Sequence, residues 1–312
     1  MKRIHFMYVP FTGLGLYGGY RGDTWLRNRI KIFKQFVVPS LLNQSNKNFI
    51  VWISWRPEDK NNPIVKDLWE SLNKLRGMRF VFTYGGICFW DDKYNDAIAN
   101  ERLRKALELS LPDLKPYIPE DTECVMMTIQ PSDDMYIGRA VEDLQSVEYM
   151  NGIVAGYKKG YIMRYDTKEV AEYNPSTTPP FFTIYFSPKI FLDPLTHYEY
   201  TGAYRSHEYV GDILKYIEIP ARGFVVGTHG ENISTQFVHP FVGGRLSKDE
   251  AEQVYLQTGC WDTEPLTVEK DMKRKILKSI LNMLPRSVQH FVIRLMSGDL
   301  TQQVKNYYYH NI

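Results

Sequence analysis

Apolar residues alternate between two spacings through the first 130 positions. Short continuous apolar runs occur at "RIHFMYV" (3–9), "NFIVWISW" (48–55), "MRFVFTY" (78–84) and "ECVMMTIQ" (123–130). Runs of this kind predict strands buried on both faces. Between them lie segments whose apolar residues recur at helical spacing: "TWLRNRIKIFKQFVVPSLLNQ" (24–44, with Leu26, Ile30, Phe33 and Val37), "IVKDLWESLNKL" (64–75) and "YNDAIANERLRKALELSL" (94–111). Pro39 lacks the backbone N–H that a helix interior needs, so it predicts the start of a second helical piece. Strands alternating with helices predict an α/β class with a parallel sheet covered on both faces.

The pattern changes after residue 150. "GIVAGYKKGYIMRYD" (152–166) reads as a hairpin through Lys158, Lys159 and Gly160, and "PFFTIYFSP", "YIEIPARGFVVGT" and "NISTQFVH" read as extended. From about Val268 the chain reads as helical and basic. An apolar stripe at Ile276, Leu277, Ile280, Leu281 and Leu284 lies away from most of Lys273, Arg274, Lys275 and Lys278. Such a helix can pack its stripe on the preceding domain, or lie on an anionic membrane. The expected organisation is one domain over 1–265 and a helical extension over 266–312.

Composition narrows the class. The 312 residues are 44% hydrophobic and 24% charged, as in water-soluble globular chains. No run reaches the roughly 18 apolar residues of a membrane span. The start of the chain has no apolar region or cleavage site of a signal peptide. Cys88, Cys124 and Cys260 share no metal-binding spacing and fit reduced thiols in a cytoplasm. A net charge of +2 gives no reason to expect a nucleic-acid partner. The 22 Tyr residues fill a core or line a sugar-binding groove.

One feature is out of keeping with a buried strand. "ECVMMTIQPSDD" runs from apolar residues straight into the adjacent carboxylates Asp133 and Asp134, which repel each other. A solvated turn capping a helix would explain them; so would a divalent cation shared with a phosphorylated ligand. In open α/β sheets, ligands bind beyond the carboxyl ends of strands, which is where this pair falls. "GLGLYG" (13–18) has dinucleotide-motif glycines, but no helix opens within it. The first acid after the second strand, Glu58, lies too far along.

The run from Thr24 to Ser54, with Trp25, Arg29, Phe33, Pro39, Ser40, Leu41, Gln44, Phe49 and Trp52, resembles the N-terminal signature of the rhamnosyltransferase family of GT-A glycosyltransferases. "IQPSDD" is similar to that family's Arg-Leu-Asp-Ala-Asp-Asp strand end, and "GFVVGTHGENIS" to a segment containing His-Gly-x-Asn-x-Ser. The chain departs from the family where Pro131 replaces the first Asp. The resemblance implies a GT-A-like mixed sheet and an enzyme that transfers a sugar from a dTDP-, UDP- or GDP-linked donor to a glycan or lipid-linked acceptor. It implies Mn²⁺ or Mg²⁺ held by Asp133, with Asp134 as a second ligand or sugar contact and His229 completing the shell. For an inverting transfer it implies an acidic base; Glu208 is the first candidate, with His207 and Asp212 beside it. Arg29, Arg102 and Arg104 are candidates for the diphosphate, and Trp55 for stacking on the base. The enzyme would be cytoplasmic, with the C-terminal helix as a possible contact with the inner face of the membrane. The rival readings are a GT-A-like nucleotidyltransferase, for which the glycine-rich loop and Arg21 speak, and a sugar-nucleotide- or glycan-binding module without activity.

Overall fold

A computed structural model describes residues 2–12, 23–86, 96–201, 207–229, 237 and 242–268. The glycine-rich loop, Cys88, "NISTQFVH" apart from Phe237, and the extension after residue 268 lie outside them. The chain divides into two units, Met1–Thr267 and Val268–Ile312. The described strands and helices belong to the first.

The apolar runs form the expected strands. In chain order the elements are β1 (Arg3–Pro10), α1 (Asp23–Ile32), α2 (Val38–Leu42), β2 (Ile50–Ser54), α3 (Pro63–Asn73), β3 (Arg79–Thr83), α4 (Asp96–Leu114) and β4 (Cys124–Ile129). β1 pairs in parallel with β2 and with β4, and β2 with β3. Successive residues serve opposite faces. Met7, Val9, Val51 and Ile53 pack towards α1–α3, with Leu26, Val37, Leu41 and Leu68. Phe6, Tyr8, Ile50 and Trp52 pack towards α4, with Leu107, Leu111 and Leu114. The predicted break near Pro39 takes the form of a π-helical turn, Phe33–Val37, leading into α2 with Pro39 in its first turn. There the missing N–H costs nothing.

After β4 come β5 (Met135–Tyr136), α5 (Ala140–Ser146), β6 (Val154–Gly156), β7 (Lys159–Arg164), β8 (Val170–Tyr173), β9 (Phe182–Phe186), α6 (Pro188–Leu192), α7 (Pro194–Thr201), α8 (Val210–Ile213), β10 (Tyr216–Glu218), β11 (Arg222–Thr228), β12 (Val242–Arg245) and α9 (Lys248–Gln257). Two sheets result, ordered β10-β6-β9-β4-β1-β2-β3 and β12-β8-β7-β11-β5. In the larger, β9 runs antiparallel to both β4 and β6, and β10 is parallel to β6. This is the mixed sheet flanked by helices that the family resemblance implies; the strand–helix alternation alone predicts only its parallel part.

The hairpin expected through Lys158–Gly160 does not form. β6 stays in the larger sheet, while β7 pairs with β11 and β8 in the smaller one. Lys158 is therefore a crossing between sheets. β4, β6 and β10 point the same way, and each is followed by a strand of the smaller sheet: β5, β7 and β11. The smaller sheet is thus reached from one edge of the larger, the edge where β1–β4 end.

Candidate active site at the junction of the two sheets

Five residues carry the chain from β4 to β5, and they hold the Asp pair. A strand follows them, so the pair caps no helix. Gln130, fully buried, donates from Nε2 to the carbonyls of Pro131 (2.9 Å) and Asp134 (2.8 Å), so its amide closes the turn from inside. The turn sends the two carboxylates to different partners. Asp134 Oδ1 accepts the backbone N–H of Gly227 on β11 at 2.8 Å. Asp133 Oδ2 meets His229 Nε2 at 3.0 Å and forms an ion pair with the guanidinium of Arg29 on α1. Three elements distant in sequence therefore converge: α1, the β4–β5 turn and the end of β11.

Tyr165, just past β7, supports the cluster. Its hydroxyl donates to the Asp133 carbonyl at 2.7 Å. Its ring stacks on Phe36 and lies 6.3 Å from the ring of His229 at 21°. Arg29 lies against Trp25, its Cζ 5.7 Å from the ring centroid.

The two carboxyls differ electrically because their neighbours differ. Burial works to raise the Asp133 carboxyl, but the Arg29 charge and the bond from His229 together hold it well below the usual carboxylate range. Burial and the Asp133 charge push Asp134 well above that range, against the Gly227 N–H. The two environments thus push the carboxyls apart and favour the negative charge on Asp133, which eases the repulsion evident in the sequence.

Asp133 and His229 present an oxygen and an imidazole nitrogen to one point, a donor set that suits Mn²⁺-type ions. Among the described residues no three His, Cys, Asp or Glu side chains form a metal-holding group. The set fits an ion held by one carboxylate and completed by substrate phosphates. Asp134, bonded to Gly227, is not brought to that point.

The other candidates fall elsewhere. Trp55 is fully buried, its ring stacked on Phe11 at 4.5 Å and packed on Phe82; it belongs to the core and has no face for a base, which corrects the stacking role expected of it. Arg104 is half-exposed on α4 and pairs with Glu108 along the helix at 3.6 Å. The side chain of Arg102 lies outside the described part. His207 and Glu208 form a 3₁₀ turn, His207–Tyr209, that leads into the single turn of α8 containing Asp212. Glu208 and Asp212 are exposed, and His207 Nδ1 is 2.6 Å from the Thr178 carbonyl, ahead of β9. β9 starts at the edge where β4 ends. The structure does not bring these three into the Asp133 cluster. A further polar group lies beyond β1 and β2: Thr12 donates to the buried Asp59 at 2.5 Å, and Arg56 grips the same carboxylate at 3.1 and 3.3 Å.

No protein-family model matches the chain, and no curated protein sequence does. Among solved structures it is similar to S. aureus TarS (11% identity, 73% of this chain, TM-score 0.30), of whose length it spans only 37%. It is also similar to the inositol-1-phosphate CTP transferase of T. maritima (10% identity, 86% of this chain and 99% of that one, TM-score 0.38). Mouse xyloside xylosyltransferase 1 is a third (12% identity, 51% and 53%, TM-score 0.29). At such scores the function rests on the chain's own residues.

Proposed function

We propose that the chain is a glycosyltransferase that moves a sugar, rhamnose by its family resemblance, from a dTDP-, UDP- or GDP-linked donor to a hydroxyl of a glycan or lipid-linked acceptor. The observation that carries this reading is the convergence of Asp133, His229 and Arg29 beyond the carboxyl end of β4, where an α/β sheet takes its ligand. The nucleoside would lie over the ends of β1–β3, with the diphosphate at the cluster. Arg29 offers a planar fork of donors to phosphate oxygens. Asp133 and His229 would hold Mn²⁺ or Mg²⁺, which when bound neutralises charge on the departing diphosphate. Asp134, Gln130 and Tyr165 fix the turn. In the transfer, the acceptor oxygen bonds to the anomeric carbon as the bond to the diphosphate oxygen breaks. The acceptor proton passes to Glu208, with His207 and Asp212 as neighbouring alternatives. The basic extension would contact the inner face of a membrane, where a lipid-linked acceptor resides.

The test supplies UDP-, dTDP- and GDP-sugars with Mn²⁺ and a panel of glycan acceptors, and measures free nucleoside diphosphate. Asp133→Asn should abolish release. Glu208→Gln should reduce it by about 10²–10⁴-fold with donor affinity kept. Release of pyrophosphate from nucleoside triphosphates would make the chain a nucleotidyltransferase instead. Binding without turnover would make it a binding module.

A further inference from the structure

The pairing of Arg29 with Asp133 has a consequence for the order of binding. Both side chains are largely buried, 10% and 17% exposed, so each is the other's main source of charge compensation. Separating such a pair leaves an uncompensated charge and is strongly unfavourable. A cation arriving alone at Asp133 and His229 would strand Arg29, and would find only two protein ligands. A diphosphate arriving alone at Arg29 would strand Asp133. Arriving together, they satisfy both: the carboxylate keeps a cation and the guanidinium keeps an anion. Arg29 has the geometry for this exchange. Its five N–H donors form a fork that matches phosphate, and Trp25, 5.7 Å away, fixes its position.

We propose that Arg29 is the exchangeable counter-ion of Asp133, released to the diphosphate as Asp133 and His229 take up a divalent cation, so that cation and nucleoside diphosphate bind cooperatively. This rests on the nucleotide-sugar reading and adds to it a coupling that runs through one side chain. By linkage the coupling is reciprocal: each ligand tightens the other by the same factor, about 5–150-fold for couplings of ordinary size.

Calorimetric titration of the full chain tests this with Mn²⁺ alone, with UDP, dTDP or GDP alone, and with each nucleotide in Mn²⁺. The wild type should bind Mn²⁺ weakly by itself and bind its nucleotide at least about fivefold more tightly when Mn²⁺ is present. Arg29→Met, which leaves Asp133 without its counter-ion, should bind Mn²⁺ alone more tightly than the wild type and lose most of the coupling. Arg29→Lys, which keeps the charge, should retain part of it. If Arg29→Met does not fold, Arg29→Lys decides: coupling undiminished from the wild type in that variant overturns the proposal. Equal affinities with and without the second ligand overturn the proposal while leaving the nucleotide reading intact, as does full coupling in Arg29→Met. Absence of nucleotide binding under every condition overturns both.

Discussion

A methyl group at position 227 would meet the ring of Tyr165 at 2.3 Å. Gly227 lies where β11 passes closest to the Asp turn: its N–H holds Asp134, and the ring above it holds the Asp133 carbonyl. Gly227→Ala should therefore push Tyr165 off both Phe36 and the turn. Overpacking of this kind costs about 1–3 kcal/mol. Urea unfolding should show that loss, and nucleotide affinity should fall with it. Gly244→Ala, where a methyl group meets nothing within 4 Å, is the control and should change neither. A Gly227→Ala protein with wild-type stability would show that the ring can move freely. At this scale the sequence reveals residues that contribute charge. Asp133, His229 and Arg29 stand in recognisable runs, and the structure brings them together. Gly227 and Tyr165 are silent in the sequence because each acts across a long stretch of chain through one backbone group, the Gly227 N–H and the Asp133 carbonyl; Gln130 is silent because it acts on carbonyls of its own turn. Trp55 misleads because a tryptophan at a strand end reads the same whether it faces a ligand or, as here, Phe11.

Among the elements, β1, β4 and β9 are stitched together by a buried polar chain as well as by their ladders. The Gln145 amide donates to His5 Nδ1 at 3.1 Å, which leaves His5 Nε2 to donate to Thr128 Oγ1 at 2.6 Å; Thr128 in turn bonds Thr183. This arrangement requires a neutral imidazole. Burial, with the Arg3 charge nearby, lowers His5 to about 3. Burial lowers His197 on α7 to about 4, against the Phe191 carbonyl that its Nδ1 faces at 2.7 Å. Both depressions work in one direction. Below the ordinary value of 6.5 the unfolded chain takes up protons that the native state refuses, so stability present above pH 6.5 is lost as pH falls towards 4. Each histidine adds up to about 1.4 kcal/mol per pH unit to that slope. Urea unfolding between pH 7 and 4.5 should show the decline. His197→Leu should be shallower by about one proton's worth, whatever its absolute stability. An unchanged slope in that variant would mean that His197 titrates normally in the native state. The strands are legible because burial on both faces leaves a continuous apolar run. Their partners are not: "GYKKGY" reads as a hairpin turn, but β6 and β7 pair with strands of two different sheets, chosen by segments beyond the local window.

The charge of the whole molecule is divided along the chain. The 45 residues after Thr267 carry eight Lys and Arg against three Asp and Glu, while the 267 before them carry 30 against 33, so a net charge of +2 conceals an acidic body and a basic extension. The body secures its own end. Gln35 donates to the Glu264 carbonyl at 2.6 Å, the Leu266 N–H to the Tyr165 carbonyl at 2.7 Å, and Lys31 to Thr267 Oγ1 at 3.0 Å. Truncation after Thr267 should therefore leave thermal unfolding and nucleotide binding of the body intact. It should also remove attraction to anionic surfaces, to which each Lys or Arg near the headgroups contributes about 1 kcal/mol. Co-sedimentation with phosphatidylglycerol vesicles should show the full chain bound at low salt, released as ionic strength shortens the Debye length from about 30 Å at 0.01 M to about 8 Å at 0.15 M. The truncated chain should stay in solution throughout. If the full chain also ignores the vesicles at low salt, the basic residues of the extension serve the protein rather than a membrane. A truncated chain that unfolds at lower temperature would then identify the apolar stripe from Ile276 to Leu284 as a packing face.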